Sequence, residues 1–379
     1  MKICIVPHGY PNGLDVTGIF VLVLAKQMAQ MGHHITIVAP QSLTKCAIRR
    51  LKISPYCEEV VNYDNGGYVK VYRPKYLSFG NLRWLCKLAT IWRVNVIKRV
   101  IDRMPKQDAF YGHFWSNAYV LFLATRKHNV PLFVASGEDV VDFPCDDTIL
   151  KKRLDEFKSR VNGVICVSTK NLNESVARGL VEKNKCRVFP NSFDANTFYR
   201  KDKMQCREQI GISKDRFVVA YLGQLSERKG AMRLSNALTK INDDSIDVMY
   251  IGEVVQEPHY KHIIHIGPTK HDKVNELLNC ADIFVLPTRA EGCSNAVVEA
   301  LAVGLPVVSS DLPFNHDILN KGNSILIDPD DVDGIAGAIK MLKDDVDFRR
   351  KLAEGASQMA QQLMIEKRAE NIIKFIKEI

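Results

Sequence analysis

The sequence predicts an α/β protein built from two doubly wound domains that follow each other along the chain. Short Val- and Ile-rich segments alternate with helical patterns, and this alternation pauses near residue 190 before it restarts. Each half opens in the same way, with a strand that runs into a glycine-containing loop and then a helix. Alternation of this kind indicates parallel sheets covered by helices, with the ligand crevice at the carboxyl ends of the strands.

The strand candidates are apolar runs without a clean polar alternation, which is typical of strands buried on both faces of a parallel sheet. In the first half they are Lys2–Val6, Ile35–Ala39, Ala109–Tyr111, Leu132–Ala135 and Gly163–Val167. In the second half they are Phe217–Leu222, Asp247–Ile251, Ile263–Ile266, Ile283–Leu286, Pro306–Ser309 and Ser324–Ile327. The helical patterns between them include Ile19–Met31 and Asn117–His128. We interpret the polar region 190–215 as a linker between the domains.

Composition narrows the class of protein. A chain of 379 residues, with 46% hydrophobic and 25% charged side chains, fits two globular domains. Its start does not match a signal peptide, and it contains no run of about eighteen apolar residues, so we expect a cytoplasmic protein. The ten cysteines are scattered singly and do not cluster with histidines, which predicts reduced thiols and no metal site.

Positive charge is concentrated in the first half of the chain, and residues 70–106 are its most basic stretch. This stretch holds ten Lys and Arg residues against a single acid, Asp102, and Trp84 and Trp92 lie among them. A basic amphipathic helix with Trp residues fits contact with the inner face of a membrane. A helix whose apolar side packs on its own domain explains the same pattern. Nucleic acid is the weaker interpretation because no recognition motif accompanies the charge.

The most informative segment runs from Asp282 to Val308. A buried strand ends at Pro287, a loop carries Glu291, and Ser294 or Asn295 can cap a helix that Gly304 ends. The free N–H groups at such a helix start bind anions. Two carboxylates, Glu291 and Glu299, flank this start, and carboxylates accept hydrogen bonds from sugar hydroxyls. A sugar linked to a diphosphate would satisfy both features, although either glutamate taken alone is more often a solvated surface residue.

The spacing of Glu291 and Glu299, followed by Glu-Ala-Leu-Ala-x-Gly-x-Pro-Val-Val, resembles the signature of glycosyltransferase family 4. The resemblance covers nearly the whole chain and implies the GT-B fold, in which two Rossmann-like domains face each other across a cleft. It assigns residues 1–192 and a returning helix, 366–379, to the acceptor-binding domain, and residues 193–365 to the donor-binding domain. It also implies that Glu291 contacts the transferred sugar and that Glu299 contacts the ribose hydroxyls.

The segment from Tyr221 to Gly230 resembles the Gly-Arg-Leu-x-x-x-Lys-Gly loop of the same family. The resemblance implies that Lys229 neutralises the donor diphosphate, whose charge grows as it leaves. Gln224 stands where the family usually has Arg, so a neutral amide replaces an always-charged guanidinium group. We hypothesise that Arg228 supplies the missing charge.

Four segments of the first half follow the family in order. Gly18 lies in a segment that resembles the first glycine loop, which approaches the donor or the acceptor; an ordinary strand-to-helix turn explains Gly18 alone equally well. His113 ends a strand, as does the family histidine that touches the sugar. Ser136 and Ser192 depart from the family, which commonly has His and Gly at these places.

The resemblance implies retention of configuration at the anomeric carbon, with a hexose-type sugar moved from a nucleotide-diphosphate sugar to an acceptor hydroxyl. Family members act on sugar or lipid-linked saccharide acceptors in cell-surface polysaccharide or glycolipid biosynthesis. No Asp-x-Asp motif is placed to hold a divalent ion, so we expect no metal and no cofactor. Two alternatives stay open: a nucleotide-sugar-binding protein without activity, and an epimerase or hydrolase of the same architecture. No motif distinguishes UDP, GDP and ADP donors.

Overall fold

A computed structural model of the chain describes residues 1–11, 18–48, 50–78, 83–141 and 153–379. The chain divides into two compact units. The first comprises residues 1–167, 171–189 and 369–379, and the second comprises residues 168–170 and 190–368. The end of the chain thus belongs to the first unit. The predicted domain limits at residues 192 and 366 fall within three residues of these boundaries.

The first unit is built on an eight-stranded sheet whose order is β10-β9-β8-β7-β1-β2-β5-β4. Its strands pair in parallel except β4, which runs antiparallel to β5 at one edge. A separate pair, β3 and β6, is also parallel. The strands are β1 (Lys2–Val6), β2 (His34–Val38), β3 (Gln41–Ser42), β4 (Cys57–Asn62), β5 (Tyr68–Tyr72), β6 (Lys75–Tyr76), β7 (Ala109–His113), β8 (Leu132–Ser136), β9 (Val161–Cys166) and β10 (Cys186–Val188).

Along the chain of the first unit, helices alternate with the strands, as the sequence pattern predicts. They are α1 (Ile19–Gln30), α2 (Leu43–Ile48), α3 (Arg83–Ile101), α4 (Trp115–Thr125), α5 (Leu154–Arg160) and α6 (Thr169–Ala177). The core contains completely buried β-strand residues such as Ile3 and Ile5 together with aromatic side chains of α4 such as Trp115 and Phe122. Burial of both faces of β1 explains why its sequence lacks polar alternation.

The second unit is built on a six-stranded parallel sheet whose order is β13-β12-β11-β14-β15-β16. Its strands are β11 (Phe217–Leu222), β12 (Ile246–Ile251), β13 (Ile263–Gly267), β14 (Ile283–Leu286), β15 (Val307–Ser310) and β16 (Ser324–Ile327). Its helices are α7 (Lys203–Ile210), α8 (Ala231–Ile241), α9 (His271–Cys280), α10 (Asn295–Ala302), α11 (Val332–Asp344) and α12 (Val346–Ala360). The last helix, α13 (Ile365–Lys377), begins in the second unit and ends in the first.

Each sheet has one point where the winding direction reverses. In the first sheet β1 lies between β2 and β7, and in the second sheet β11 lies between β12 and β14. Ligands of open α/β sheets bind outside the carboxyl ends of the strands at such a reversal. A ligand is therefore expected at the loops that follow β1, β7, β11 and β14, and these loops carry most of the predicted site residues.

Several helix ends follow the sequence closely. Asp331 and Asp345 cap α11 and α12 and accept hydrogen bonds from Gly334 N and Phe348 N, as aspartates at helix starts commonly do. The linker prediction for 190–215 is wrong in one respect, because α7 forms inside it. Asp202 caps α7 by accepting from Gln205 N, and only Cys206 and Arg207 of this polar helix are buried.

The basic stretch 70–106 does not form a single amphipathic helix. It contains the end of β5, the strand β6 and the helix α3, with residues 79–82 outside the described part of the chain. Arg73, one of the basic residues of this stretch, is only 5% exposed, so its charge is not available at the surface. No helix of the described residues is long and apolar enough to cross a membrane.

Candidate active site

The second unit brings Lys229 and Glu291 together at the reversal point of its sheet. Lys229 precedes α8 and Glu291 follows β14, so they lie on the loops of two neighbouring strands. Lys229 Nζ donates to Glu291 Oε1 in an ion pair whose side chains are only 18% and 9% exposed. The predicted cation for the diphosphate and the predicted carboxylate for the sugar are thus in direct contact.

Gly230 explains how the two loops approach so closely. It caps α8 with a φ of +86°, and a Cβ atom at this position would lie 2.3 Å from the carbonyl oxygen of Pro287. Only glycine combines this backbone conformation with that contact. Buried Arg233 fastens the same region, because its Nη2 donates to Pro287 O at 2.7 Å and its Nε donates to Pro329 O at 2.7 Å. Arg233 was not identified from the sequence, where it is one more helical arginine.

Arg228 and Gln224 occupy different parts of the same loop. The Arg228 guanidinium donates from Nη1 to Ala290 O at 2.9 Å, and the Arg228 carbonyl accepts from Arg289 N at 3.0 Å. Arg228 is therefore held beside the loop that carries Glu291. Gln224 is exposed and donates from Nε2 to the Glu253 carboxylate at 3.0 Å. The amide that replaces the usual arginine thus contacts an acid on the loop after β12.

The start of α10 has the capping geometry that the sequence predicts. Ser294 is the N-cap residue, and its hydroxyl accepts from Val297 N at 3.4 Å. Asn295 is the first residue of the helix and is exposed. Asn191 holds the preceding turn, because its Nδ2 donates to Cys293 O at 2.8 Å. These contacts fix the helix start beside the loop of Glu291.

Glu299 has a partner that the sequence did not reveal. His271, the first residue of α9, lies with its Nε2 3.8 Å from Glu299 Oε1. Desolvation raises the pKa of Glu299 above its usual range, and the hydrogen bond and charge of His271 act against this rise. Phe198 packs edge-on against the His271 ring at a centroid distance of 5.1 Å. The pairing joins residues 28 positions apart and has no local sequence signal.

In the first unit, His113 ends β7 at the reversal point of the sheet and is 4% exposed. Aromatic rings surround it, with centroid distances of 5.4 Å to Phe20 and 4.9 Å to Phe114. The His113 carbonyl accepts from Asn117 Nδ2 at 2.7 Å. Asn117 is 1% exposed and is a second residue that the sequence did not single out.

Gly18 and Ser136 have structural roles in this region. Gly18 precedes α1 with a φ of +80°, and a Cβ atom there would lie 2.2 Å from the Gly9 carbonyl oxygen. Its neighbour in the predicted glycine loop, Thr17, lies outside the described residues. Ser136 accepts from the Trp115 indole N–H at 3.1 Å, so the serine that replaces the usual histidine fastens α4 to β8.

In the described part of the chain, no group of three or more His, Cys, Asp or Glu side chains is placed to hold a metal ion. The charged groups of the candidate site are instead Lys229, Arg228, Glu291 and Glu299. Two cations beside a helix start can hold a diphosphate, and two carboxylates can accept hydrogen bonds from hydroxyl groups.

Comparison with known proteins gives two family matches that do not overlap. Residues 17–197 match the model described as Glycosyltransferase Family 4, and residues 202–359 match the one described as Glycosyl transferases group 1. The fold and both matches define a glycosyltransferase of the GT-B class. More particularly, the chain belongs to glycosyltransferase family 4.

Similar proteins agree with this assignment. A putative teichuronic acid biosynthesis glycosyltransferase of Bacillus subtilis, TuaC, is 24% identical over 93% of this chain and 92% of its own length. The Escherichia coli UDP-Gal:α-D-GlcNAc-diphosphoundecaprenol α-1,3-galactosyltransferase is 24% identical over 64% of this chain and 68% of its own. The crystal structure of Anabaena HepE in complex with UDP and glucose superposes with a TM-score of 0.74 at 18% identity, covering 100% of both chains.

Proposed function

We propose that this protein transfers a hexose-type sugar from a nucleotide-diphosphate sugar to an acceptor hydroxyl, with retention of configuration and without a divalent metal. The observation that carries the proposal is the contact between Lys229 and Glu291 at the reversal point of the second sheet. A relative that uses UDP-Gal and a solved structure that holds UDP support a nucleotide-diphosphate donor.

The chemistry follows from the charges at this place. The bond that breaks joins the anomeric carbon to a diphosphate oxygen, so negative charge grows on the leaving group. Lys229, with Arg228 and the N–H groups at the start of α10, stabilises that charge in the transition state. The acceptor hydroxyl attacks from the face that the diphosphate leaves, and a donor phosphate oxygen takes its proton. Glu291 binds the hydroxyls of the transferred sugar and Glu299 binds the ribose.

The proposed donor would rearrange the ion pair between Lys229 and Glu291. In the structure each residue neutralises the other. A bound diphosphate gives Lys229 a second anionic partner, and sugar hydroxyls give Glu291 new donors. The pair therefore keeps both side chains in place, with their charges compensated, until the donor arrives.

The experiment that tests this function is nucleotide release from UDP-, GDP- and ADP-sugars in the presence of EDTA. We expect slow release from one donor class by the wild type, because water replaces the missing acceptor, and loss of release in Glu291→Ala. The matched control is Glu208→Ala, since Glu208 is an exposed acid of the same unit. Nucleotide release that requires added metal would contradict the metal-independent mechanism. No nucleotide release from any of the donors would favour a binding protein without activity.

For the acceptor, we propose a lipid-linked saccharide reached at the inner face of a membrane. Leu88, Ile91 and Trp92 share one face of α3 and are 49%, 47% and 40% exposed. Arg99, also exposed, continues that face. Apolar side chains beside cations fit an anionic bilayer surface. The relative that acts on a diphosphoundecaprenol-linked acceptor and the TuaC protein of teichuronic acid biosynthesis support a role in polysaccharide or glycolipid synthesis.

Vesicle co-sedimentation tests this surface. We expect binding to vesicles that contain anionic lipid and weaker binding after Trp92→Ser or Arg99→Ala. Lys127→Ala serves as a control because Lys127 is an exposed cation of the same unit beyond the end of α4. Equal sedimentation of all variants, or no dependence on anionic lipid, would contradict the surface.

A further inference from the structure

The first unit contains a cavity of about 280 Å³ that the sequence did not predict. It lies at the carboxyl ends of β1, β2 and β5, on the edge of the sheet where His113 ends β7. The segments after these three strands form its walls together with α2 and α3. Both strands that flank the reversal point, β1 and β7, thus deliver residues to this edge.

Three cations line the cavity: Lys45 of α2, Arg73 after β5 and Arg93 of α3. In the described part of the chain, none of the lining residues is an Asp or a Glu. Outside the lining, the Glu58 carboxylate lies beside Arg73, with its Oε2 3.8 Å from Arg73 Nη2. Desolvation, followed by the charges of Arg93 and Lys45, lowers the pKa of His8 in the same wall. The cavity is therefore electropositive.

Three polar atoms of this wall have no hydrogen-bond partner among the described residues. Tyr10 Oη, Arg73 Nε and Arg93 Nε are buried, and within the described ranges none of them makes a hydrogen bond. Buried donors of folded proteins are almost always satisfied by protein, water or ligand. All three atoms belong to residues that line the cavity, and a ligand with several acceptor oxygens would offer them partners.

The cavity is connected to His113 of the same unit through Asn117. Arg93 Nη2 donates to Asn117 Oδ1, and Asn117 Nδ2 donates to the His113 carbonyl at 2.7 Å. Asn117 Nδ2 also lies 3.5 Å from His8 Nδ1. A group bound by Arg93 is consequently only one side chain away from the backbone of His113, which the family resemblance places beside the transferred sugar.

We propose that this cavity binds the phosphate or diphosphate group of the acceptor. The inference rests on the proposed transfer and specifies its acceptor class. Three cations match the charge of a diphosphate, and an arginine guanidinium can bind two phosphate oxygens at once. Such a group would offer acceptors to Tyr10 Oη and to the Nε atoms of both arginines, whose Nη2 atoms already donate to Pro11 O and Asn117 Oδ1. The acceptor is either a soluble sugar phosphate or a lipid-linked sugar diphosphate, because both carry this chemistry.

The test measures binding of inorganic pyrophosphate by calorimetry. Wild type is compared with Lys45→Ala, Arg93→Gln, Lys229→Ala and the control Lys106→Ala, which removes an exposed cation of the first unit. We expect Lys45→Ala to weaken binding about tenfold and Arg93→Gln to weaken it at least as much, since each removes a charged donor. In Lys229→Ala and Lys106→Ala, the pyrophosphate binding that depends on Lys45 should persist. Because Lys45 is exposed, its variant stays informative if Arg93→Gln fails to fold.

Two outcomes overturn the proposal: pyrophosphate affinity that is the same in Lys45→Ala, Arg93→Gln and wild type, or binding that disappears only in Lys229→Ala, which would place the anion at the donor site. Neither outcome bears on nucleotide release, so a failure here is distinguishable from failure of the proposed function. Glucose 1-phosphate in solution and a polyprenyl diphosphate in phosphatidylcholine vesicles then separate the two acceptor sources. Binding of either one that depends on Lys45 supports the proposal and names the source.

Discussion

Lys229 and Glu291 are 62 positions apart in the sequence, yet they form an ion pair between the loops of two adjacent strands. This pair gives the expectation that the two residues have opposite effects on nucleotide binding. In Glu291→Gln, Lys229 loses its negative partner, so a nucleoside diphosphate should bind as tightly as to wild type or more tightly. Turnover of the nucleotide sugar should fall by about 10² because a contact to the transferred sugar is lost. Calorimetry with the nucleotide, combined with release assays, measures both.

The reciprocal variant, Lys229→Met, should weaken both nucleotide binding and turnover. If Glu291→Gln weakened nucleotide binding as much as Lys229→Met does, the pair would be a structural element and not the donor site. Unfolding transitions of both variants show whether loss of the pair affects folding.

Arg228→Ala tests whether Arg228 compensates for Gln224. Arg228 is held at the Ala290 carbonyl, one residue before Glu291, while Gln224 contacts the acid Glu253. We expect the variant to lower kcat/KM for the donor roughly tenfold, because one charged phosphate contact is lost. Arg178→Ala, which changes an exposed arginine of the first unit, is the control. Unchanged donor turnover in Arg228→Ala would show that this arginine does not supply the missing charge.

The contact between His271 and Glu299 predicts a change in pH dependence. Desolvation raises the pKa of Glu299, and His271 opposes this rise. Since the ionised carboxylate is the form that accepts hydrogen bonds from ribose, donor affinity should fall as the pH drops through this raised pKa. Removing His271 raises the pKa further, so the acid limb of nucleotide release should move to higher pH in His271→Ala.

His316→Ala is the matched control for the pH dependence of nucleotide release, because His316 is an exposed histidine that pairs with Asp311 in the same unit. An acid limb at the same pH in His271→Ala and wild type would contradict the assignment. Glu299→Gln should lack the limb altogether, at a reduced rate, since its amide does not titrate in this range.

The stability of the second unit should depend on a buried ion pair just before β14, at the amino ends of the strands and away from the candidate site. Asp282 accepts from Arg207 Nη2 at 2.7 Å and from Val218 N at 2.8 Å. Burial alone would raise the pKa of Asp282, but Lys203, Val218 N–H and Arg207 together lower it. We expect Asp282→Ala to lower the free energy of unfolding by about 3–5 kcal/mol, because Arg207 is left buried without its partner.

The sign of the pH effect follows from the lowered pKa. Stability from Asp282 is fully present above the ordinary aspartate pKa and is lost as the pH falls through the lower, folded-state pKa. Urea unfolding at neutral pH and near pH 3 measures both effects. Asp347→Ala, which removes an exposed partner of Arg350, should change stability by less than about 0.5 kcal/mol. A comparably small effect of Asp282→Ala would contradict the role of the buried pair.

The sequence predicted the buried strands well because each one is a short continuous apolar run. Phe217–Leu222 and Ile283–Leu286 have the predicted bounds, whereas β4 and β5 were missed. β4 carries exposed charged residues at the sheet edge, and β5 alternates buried and half-buried residues, so neither resembles a fully buried strand. Helix α7 was missed for a related reason, since most of its surface is polar.

The positions of the candidate site residues can be read from the sequence where they lie in one contiguous segment, but contacts that depend on tertiary pairing cannot. Glu291, Ser294 and Glu299 lie on one loop and helix, so their spacing is visible in the sequence. The cavity between Arg73 and Arg93 is not visible, because an arginine that is buried and one that is solvated look alike in a basic stretch. The predicted roles of the motif residues in catalysis stay predictions.

The central claim, transfer with retention through the Lys229 and Glu291 site, is tested most directly by the anomeric configuration of the product. Once the release assay identifies an α-linked donor, proton NMR at early times shows which anomer forms. The account predicts that the sugar leaves the enzyme as the α anomer and that Glu291→Ala forms no product. Initial formation of the β anomer by the wild type would show inversion and would contradict the account.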